Sequence, residues 1–246
     1  MKRLLFIGAL LLMSNQFQAQ NLSFEGVFPV WSQTGRISDK FNYNFFIATT
    51  IEPFSVKEAG VEYPATDLNL YIQPSVIYVL DANWNFAASY TYQRNNPFNR
   101  NFFNEHRLWQ QVVLSLPLGK GRLTQRLRLE ERFIENKATK TYPFSTRTRY
   151  QLGYNMPLQG KTLDEKEFYL NAYNEFYFNL TGAKHTTYSD NWTYLGVGYN
   201  MGKMGKLELG YLLQVSVRND QKDLRYFYIA QLMWVTNFEF FKKSAD

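Results

Sequence analysis

Cysteine is absent from the 246 residues, and histidine occurs only twice, as His106 and His185. Without cysteine no disulfide framework can form and no lipid-modified N-terminal cysteine can anchor the chain. Two histidines so far apart offer no metal-ligand spacing, so neither a metal nor another cofactor is expected. Long apolar runs are nearly as scarce. Outside Leu4–Met13, polar residues interrupt apolar ones every second or third position, leaving nothing like the ~20 apolar residues of a membrane-spanning helix. Nor does one sign of charge dominate: 27 basic residues stand against 21 acidic ones, a net charge of +6. The arginines alternate with leucine instead of forming an exposed run, which argues against a nucleic-acid partner. Gly202-Lys203-Met204-Gly205-Lys206 lacks the spacing and the strand-loop-helix setting of a phosphate loop and reads as a turn.

What is abundant is aromatic surface and two-faced alternation. Aromatics make up 18% of the chain, with 21 Phe, 18 Tyr and 5 Trp. The clearest alternation runs from residue 122 to 134. There Arg126, Arg128, Glu130 and Arg132 share one strand face, and Leu127, Leu129 and Phe133 the other. A dry apolar face backed by a row of charges suits a membrane β-barrel, whose outer wall meets lipid, better than a soluble core.

The N-terminus has the layout of a secretory signal peptide: Lys2 and Arg3, the apolar run Leu4–Met13, then a cleavage point expected after Ala19. The alternative of a signal anchor fails on length. Removing residues 1–19 takes away two of the 27 basic residues and none of the 21 acidic ones, so the mature charge is +4. The remaining stretch, 20–246, is expected to form one domain, since a single barrel absorbs that length.

Alternating segments recur through most of that stretch. Asn42, Asn44, Phe46 and Ala48 oppose Phe41, Tyr43, Phe45 and Ile47, while Tyr71, Gln73 and Ser75 oppose Leu70, Ile72 and Val76. Ala87, Ser89, Thr91 and Gln93 oppose Phe86, Ala88, Tyr90 and Tyr92, and Glu105, Arg107, Trp109 and Gln111 oppose Leu108 and Val112. Further on, Arg147, Arg149 and Gln151 oppose Tyr150 and Leu152, Glu167, Asn171 and Glu175 oppose Phe168, Leu170 and Phe176, and Glu208 opposes Leu207 and Leu209. Along the last segment, from about 224 to 237, both faces are apolar and only Arg225 and Gln231 mark a polar side.

Short turns near 38–39, 81–83, 119–121, 159–166 and 202–206 alternate with wider loops near 52–66, 94–104, 135–143, 181–190 and 219–223. That asymmetry is the one shown by outer-membrane barrels. These connections join eleven segments, which would start the chain outside if it ends in the periplasm. The expectation is therefore an all-β, single antiparallel up-and-down transmembrane barrel of about twelve strands, residues 22–30 around Pro29 adding a short twelfth. Threading of the N-terminal segment through the lumen is the alternative.

Several stretches carry a resemblance. Glu105-His106-Arg107-Leu108-Trp109-Gln110-Gln111, Arg126-Leu127-Arg128-Leu129-Glu130-Glu131-Arg132-Phe133, Arg147-Thr148-Arg149-Tyr150, Tyr173-Asn174-Glu175-Phe176-Tyr177-Phe178-Asn179 and Gly196-Val197-Gly198-Tyr199 together resemble the family called domain of unknown function 2490. The resemblance implies an exported β-barrel of Gram-negative bacteria with no established activity and no catalytic residue to carry over. The aromatic end at Phe238, Phe240 and Phe241 is similar to an outer-membrane insertion signal, although Lys242–Asp246 follow it.

The candidate site is the row of charges expected inside: Glu105, Arg107, Trp109, Arg126, Arg128, Glu130, Arg132, Arg147, Arg149 and Glu175, with Glu167 and Glu208 as further candidates. One reading is a structural ion network that fills the barrel; burying so many charges demands carboxylate partners or water. Another is an anion-selective pore for small acidic solutes or acidic oligosaccharides, with Trp109, Tyr169, Tyr173 and Tyr177 as stacking surfaces. A lipid-modifying enzyme would need a base within reach of a nucleophile. His106 falls on the apolar face with no serine two residues away, and His185 lies in a loop, so no catalytic residue is assigned. The expected partners are outer-membrane lipid, the barrel-assembly machinery during insertion, and small anionic solutes. The soluble rival, a periplasmic lipocalin-like barrel, would turn the leucines inward and the arginines to water.

Overall fold

The structure, a computed structural model, describes residues 22–58, 61–182, 186–217 and 223–238. The expected leader, His185, Phe240 and Phe241 lie outside the described residues. The strands are β1 (Leu22–Arg36), β2 (Phe41–Glu52), β3 (Val56–Glu58), β4 (Val61–Tyr63), β5 (Thr66–Val79), β6 (Trp84–Asn95), β7 (Phe103–Leu118), β8 (Gly121–Ile134), β9 (Phe144–Pro157), β10 (Phe168–Thr181), β11 (Tyr188–Asn200), β12 (Lys206–Val217) and β13 (Leu224–Thr236). A 3₁₀ turn, Gly202–Met204, lies between β11 and β12.

Eleven of these strands close into one barrel in the order β1-β13-β12-β11-β10-β9-β8-β7-β6-β5-β2, and β3 and β4 form a separate small hairpin. The expected extra strand at residues 22–30 is corrected: these residues are the first part of one fifteen-residue strand, β1, which lies in the wall and not in the lumen. The up-and-down expectation holds for the other neighbours but not for the seam. An odd number of strands joined by successive reversals leaves the first and last running the same way, so closure must be parallel. The β1–β13 pairing is parallel from Leu22↔Arg225 to Gln33↔Thr236. Pro29, which has no N–H to give to a ladder, sits where β1–β2 pairing is interrupted between Val27↔Ile51 and Val30↔Ala48.

Gln33 pins this seam. Its Oε1 accepts the Thr236 hydroxyl at 2.5 Å, and its Nε2 donates to the Phe238 carbonyl at 2.8 Å and to the Tyr43 hydroxyl at 3.1 Å. At the same end of the barrel the connections are tight. In the 80–83 turn, Asp81 Oδ1 accepts the backbone N–H groups of Asn83 and Trp84 at 2.7 and 2.8 Å. The opposite end carries the wider connections, including the β3–β4 hairpin, whose Tyr63 ring meets Phe24 edge-on at 5.6 Å.

The wall is apolar outside and charged inside. Leu127 and Leu129 are 51% and 40% exposed, whereas Arg128 and Glu130 between and beyond them are 7% and 0% exposed. This is the reverse of the arrangement a soluble barrel requires. Exposed aromatics gather near the two rims: Phe41, Trp84, Phe168 and Trp234 at the tight-turn end, Tyr142, Phe144 and Tyr188 at the wide-loop end.

The interior is divided. Leu22, Phe24, Phe28 and Val30 of β1 pack with Phe227, Ile229, Leu212 and Tyr194 into a dry cluster on the seam side. This explains the ambiguous last strand: its inward face is apolar because that side of the lumen is packed, with buried Gln231 as its polar marker. On β11 and β12 the inner wall is stripped to glycine beneath the tyrosines. A Cβ on Gly196 or Gly210 would collide with the Tyr194 ring, and one on Gly198 with Tyr169.

Candidate lumen site

The charged half of the lumen is built by β7, β8, β9 and β10. Their register sets Trp109↔Glu130↔Arg147 in one cross-strand row and Gln111↔Arg128↔Arg149↔Tyr177 in the next. Arg128 and Arg149, like charges directly opposite, would repel. Glu130 and Glu175 on the adjoining rows both bond Arg149 and offset its charge.

Each carboxylate is surrounded. Glu105 receives Arg132 as a two-point fork, Nε to Oε1 at 2.7 Å and Nη2 to Oε2 at 3.0 Å, together with Arg107 Nε at 2.9 Å. Glu175 receives a second fork from Arg149, 2.8 Å at both oxygens, plus Arg126 at 2.5 Å and the Tyr177 hydroxyl at 3.2 Å. Glu130, fully buried, meets Arg147 at 2.5 Å and Arg149 at 2.9 Å, with Arg107 and Arg128 at 3.7 and 3.9 Å. Forked, charge-assisted bonds of this kind make burial of so many charges tolerable. All ten residues expected in the lumen lie there, and nine of them form one continuous set of ion pairs.

The tenth, Trp109, lies under a guanidinium. The Arg128 group sits 3.8 Å above its ring, and its indole N–H donates to the Thr91 hydroxyl at 3.1 Å. Tyr177 serves Arg149 and Arg147 in the same way, at 4.3 and 4.9 Å. Arg128 differs from its neighbours: both of its close bonds, at 3.0 and 2.7 Å, go to the neutral Gln111 Oε1.

Two further candidates lie elsewhere. Glu167 is corrected: it precedes β10 in the turn, where its Oε2 accepts the Asp164 N–H at 3.0 Å, because the strand begins at Phe168. Glu208 is inside but apart from the arginines, held by Asn171 at 3.1 Å and the Tyr194 hydroxyl at 2.7 Å. Tyr169 belongs to that region, with Lys206 over its ring at 5.6 Å. The residues missed as partners are amides. Gln73 accepts from Thr91 and Trp109, Gln93 from Arg107, and Gln111 from Arg128. Alternation placed all three on the polar face, but only register reveals what each one bonds.

Outside the barrel, His106 Nδ1 bonds the Tyr90 hydroxyl at 2.6 Å, and the Tyr142 ring packs 5.3 Å from it. The described residues contain no cluster of three metal-ligating side chains. Between the charged and apolar halves lies a cavity of about 460 Å³, lined by Arg126, Arg128 and Arg149 on one side and by Phe28, Phe46 and Met233 on the other.

Fold and interior together define a closed β-barrel with an ion-paired, partly hollow lumen. A model of the family described as Protein of unknown function (DUF2490) matches residues 34–225, and the chain belongs to that family. Comparison with curated proteins finds no similar sequence.

Proposed function

We propose that this chain is an exported outer-membrane β-barrel whose Arg/Glu interior braces the wall beside a small compartment, charged on one side and apolar on the other, and that it carries out no catalysis. The observation that carries the reading is the inversion of the wall. Leu127, Leu195 and Leu209 are 51%, 57% and 63% exposed, while Glu105, Glu130 and Glu175 are at most 2% exposed. Such a surface lowers its free energy against acyl chains, and the rim aromatics suit the two headgroup levels. Its partners are then outer-membrane lipid and, during insertion, the barrel-assembly machinery. Fractionation tests this reading. The protein should partition with detergent-extracted outer membranes and run faster on gels unheated than boiled. Recovery in the osmotic-shock supernatant would sink it.

The arginine excess favours a second reading, an anion-selective path. Purified protein in planar bilayers should then give anion-selective steps that Arg128→Glu weakens. Silent bilayers under conditions where the barrel inserts would leave bracing as the role of these charges.

A further inference from the structure

Six guanidinium groups, those of Arg107, Arg126, Arg128, Arg132, Arg147 and Arg149, share three carboxylates, Glu105, Glu130 and Glu175. Counting Asp190, which also lines the cavity, still leaves positive charge in excess. The excess has a location. The oxygens of Glu105 and Glu175 are taken up by Arg107, Arg132, Arg149, Arg126 and Tyr177, and Glu130 is held closely by Arg147 and Arg149. Arg128 is left with a neutral amide and a carboxylate at 3.9 Å. It lies two residues from Arg126 on the same inward face, and both line the cavity.

Four residues that line the cavity also carry a buried polar atom with no protein partner. Arg126 Nε, Trp192 Nε1, Gln231 Nε2 and the Ser75 hydroxyl are buried without a hydrogen-bond partner, and all four residues line it. Gln231 and Ser75 are 1% and 7% exposed. Buried donors left unpaired are costly, and three of these four groups can only donate through the atom concerned. A cavity that combines surplus cation with no spare carboxylate near Arg128 is matched to an anion.

The other wall is apolar. Phe28 and Val30 of β1, Phe46 of β2, Ile77 of β5 and Met233 of β13 line it. β1 stands five strands from β8 one way round and six the other, so Phe28 and Val30 lie diametrically across from Arg126 and Arg128. A volume of about 460 Å³ falls within the ~300–1,000 Å³ of small-molecule sites.

We propose that the cavity is a binding site for a small organic carboxylate, its acid group held by Arg126 and Arg128 and its apolar body laid against the Phe28–Phe46–Met233 side. The site deepens the reading of an enclosed compartment and rests on the barrel being closed, not on what surrounds it. Inorganic anions share the charge but not the body, and the test separates them.

The probe is 4-methoxybenzoate, titrated calorimetrically into the full-length barrel in a nonionic maltoside detergent, with a micelle-only blank. One-to-one binding is expected, with 4-methoxybenzamide binding at least tenfold more weakly and inorganic phosphate weaker than the benzoate. Arg128→Gln and Arg126→Gln should each weaken binding at least tenfold while the unheated gel shift is retained. Lys203→Gln, which removes one cation from an exposed tight turn, should leave affinity within about twofold. Absence of benzoate binding to a barrel that keeps its gel shift overturns the site. Equal binding of the amide, or indifference to both arginine substitutions, overturns the assignment of the acid group; equal phosphate binding overturns the apolar half. Recovery as a detergent-free soluble barrel would instead sink the membrane reading, and the titration would still decide the ligand.

Discussion

Glu130 is where the lumen charges converge, and Arg128 is the one arginine around it without a close carboxylate. The two residues should therefore respond very differently to loss of charge. Glu130→Gln strands Arg147 in a buried site and takes from Arg149 one of its two carboxylates, leaving it the Glu175 fork, and a penalty of about 3–5 kcal/mol is expected. Arg128→Gln relieves repulsion with Arg149 while forfeiting a stack on Trp109 and bonds to Gln111, so a loss of about 1 kcal/mol is expected. Reversible denaturant titration in detergent, read by tyrosine and tryptophan fluorescence, compares them directly. Equal destabilisation by the two substitutions would show that the network does not centre on Glu130. At this scale the sequence was informative about face and silent about partner. Alternation put Arg126, Arg128, Glu130 and Arg132 on one side, but it could not reveal that Arg132 reaches Glu105 whereas Arg126 reaches Glu175, because that depends on neighbouring strands and their register.

At the scale of single elements, two devices keep strands and turns in place. On β11, a side chain at Gly196 would have to share space with the Tyr194 ring that lies across it. Gly196→Ala should cost about 1–3 kcal/mol as an overpacking change. In a Tyr194→Ala background, itself less stable, the same glycine change should cost less, and a heat-modifiability series on gels reads both. The 80–83 turn is held by a carboxylate. The backbone N–H groups of Asn83 and Trp84 keep the Asp81 carboxyl below the usual carboxylate range. A depressed folded value means that the cap's contribution is fully present above the unfolded value of ~3.9 and is lost as pH falls through the folded value. The difference in thermal midpoint between the protein and Asp81→Asn should thus be constant near neutrality and shrink below about pH 4. A pH-independent gap would exclude the cap. Strand extents were largely legible from alternation. β13 was legible in extent but not in face, since a strand whose lumen side packs against β1 loses its polar face, and the β3–β4 hairpin was not legible at all, since three-residue strands carry too little alternation to register.

For the whole molecule, the decisive property is which solvent each side of the wall meets. Eleven strands was the count the connections gave. A twelfth would start the first strand on the periplasmic side, but parallel closure of β1 on β13 requires none. Closure of either kind leaves no exposed strand edge, the condition for crossing a bilayer with strands. The outer surface near mid-height of β8 then becomes the test of what lies around the barrel. Leu127 is 51% exposed there, its neighbours across the sheet are Val112 and Tyr150, and no charge faces outward beside it in those pairs. In water, Leu127→Arg would add a solvated cation to a surface position, a change within about 0.5 kcal/mol. Against hydrocarbon the same substitution should cost ~2–4 kcal/mol. Folding titrations into phosphatidylcholine vesicles, with Lys203→Arg as a charge-conserving control in an exposed tight turn, should therefore separate the two surroundings. A loss of 2 kcal/mol or more for Leu127→Arg is the expected result. Vesicle-folded Leu127→Arg with unchanged stability would mean that this face of β8 does not touch lipid, and the inverted wall would then need a protein partner to cover it.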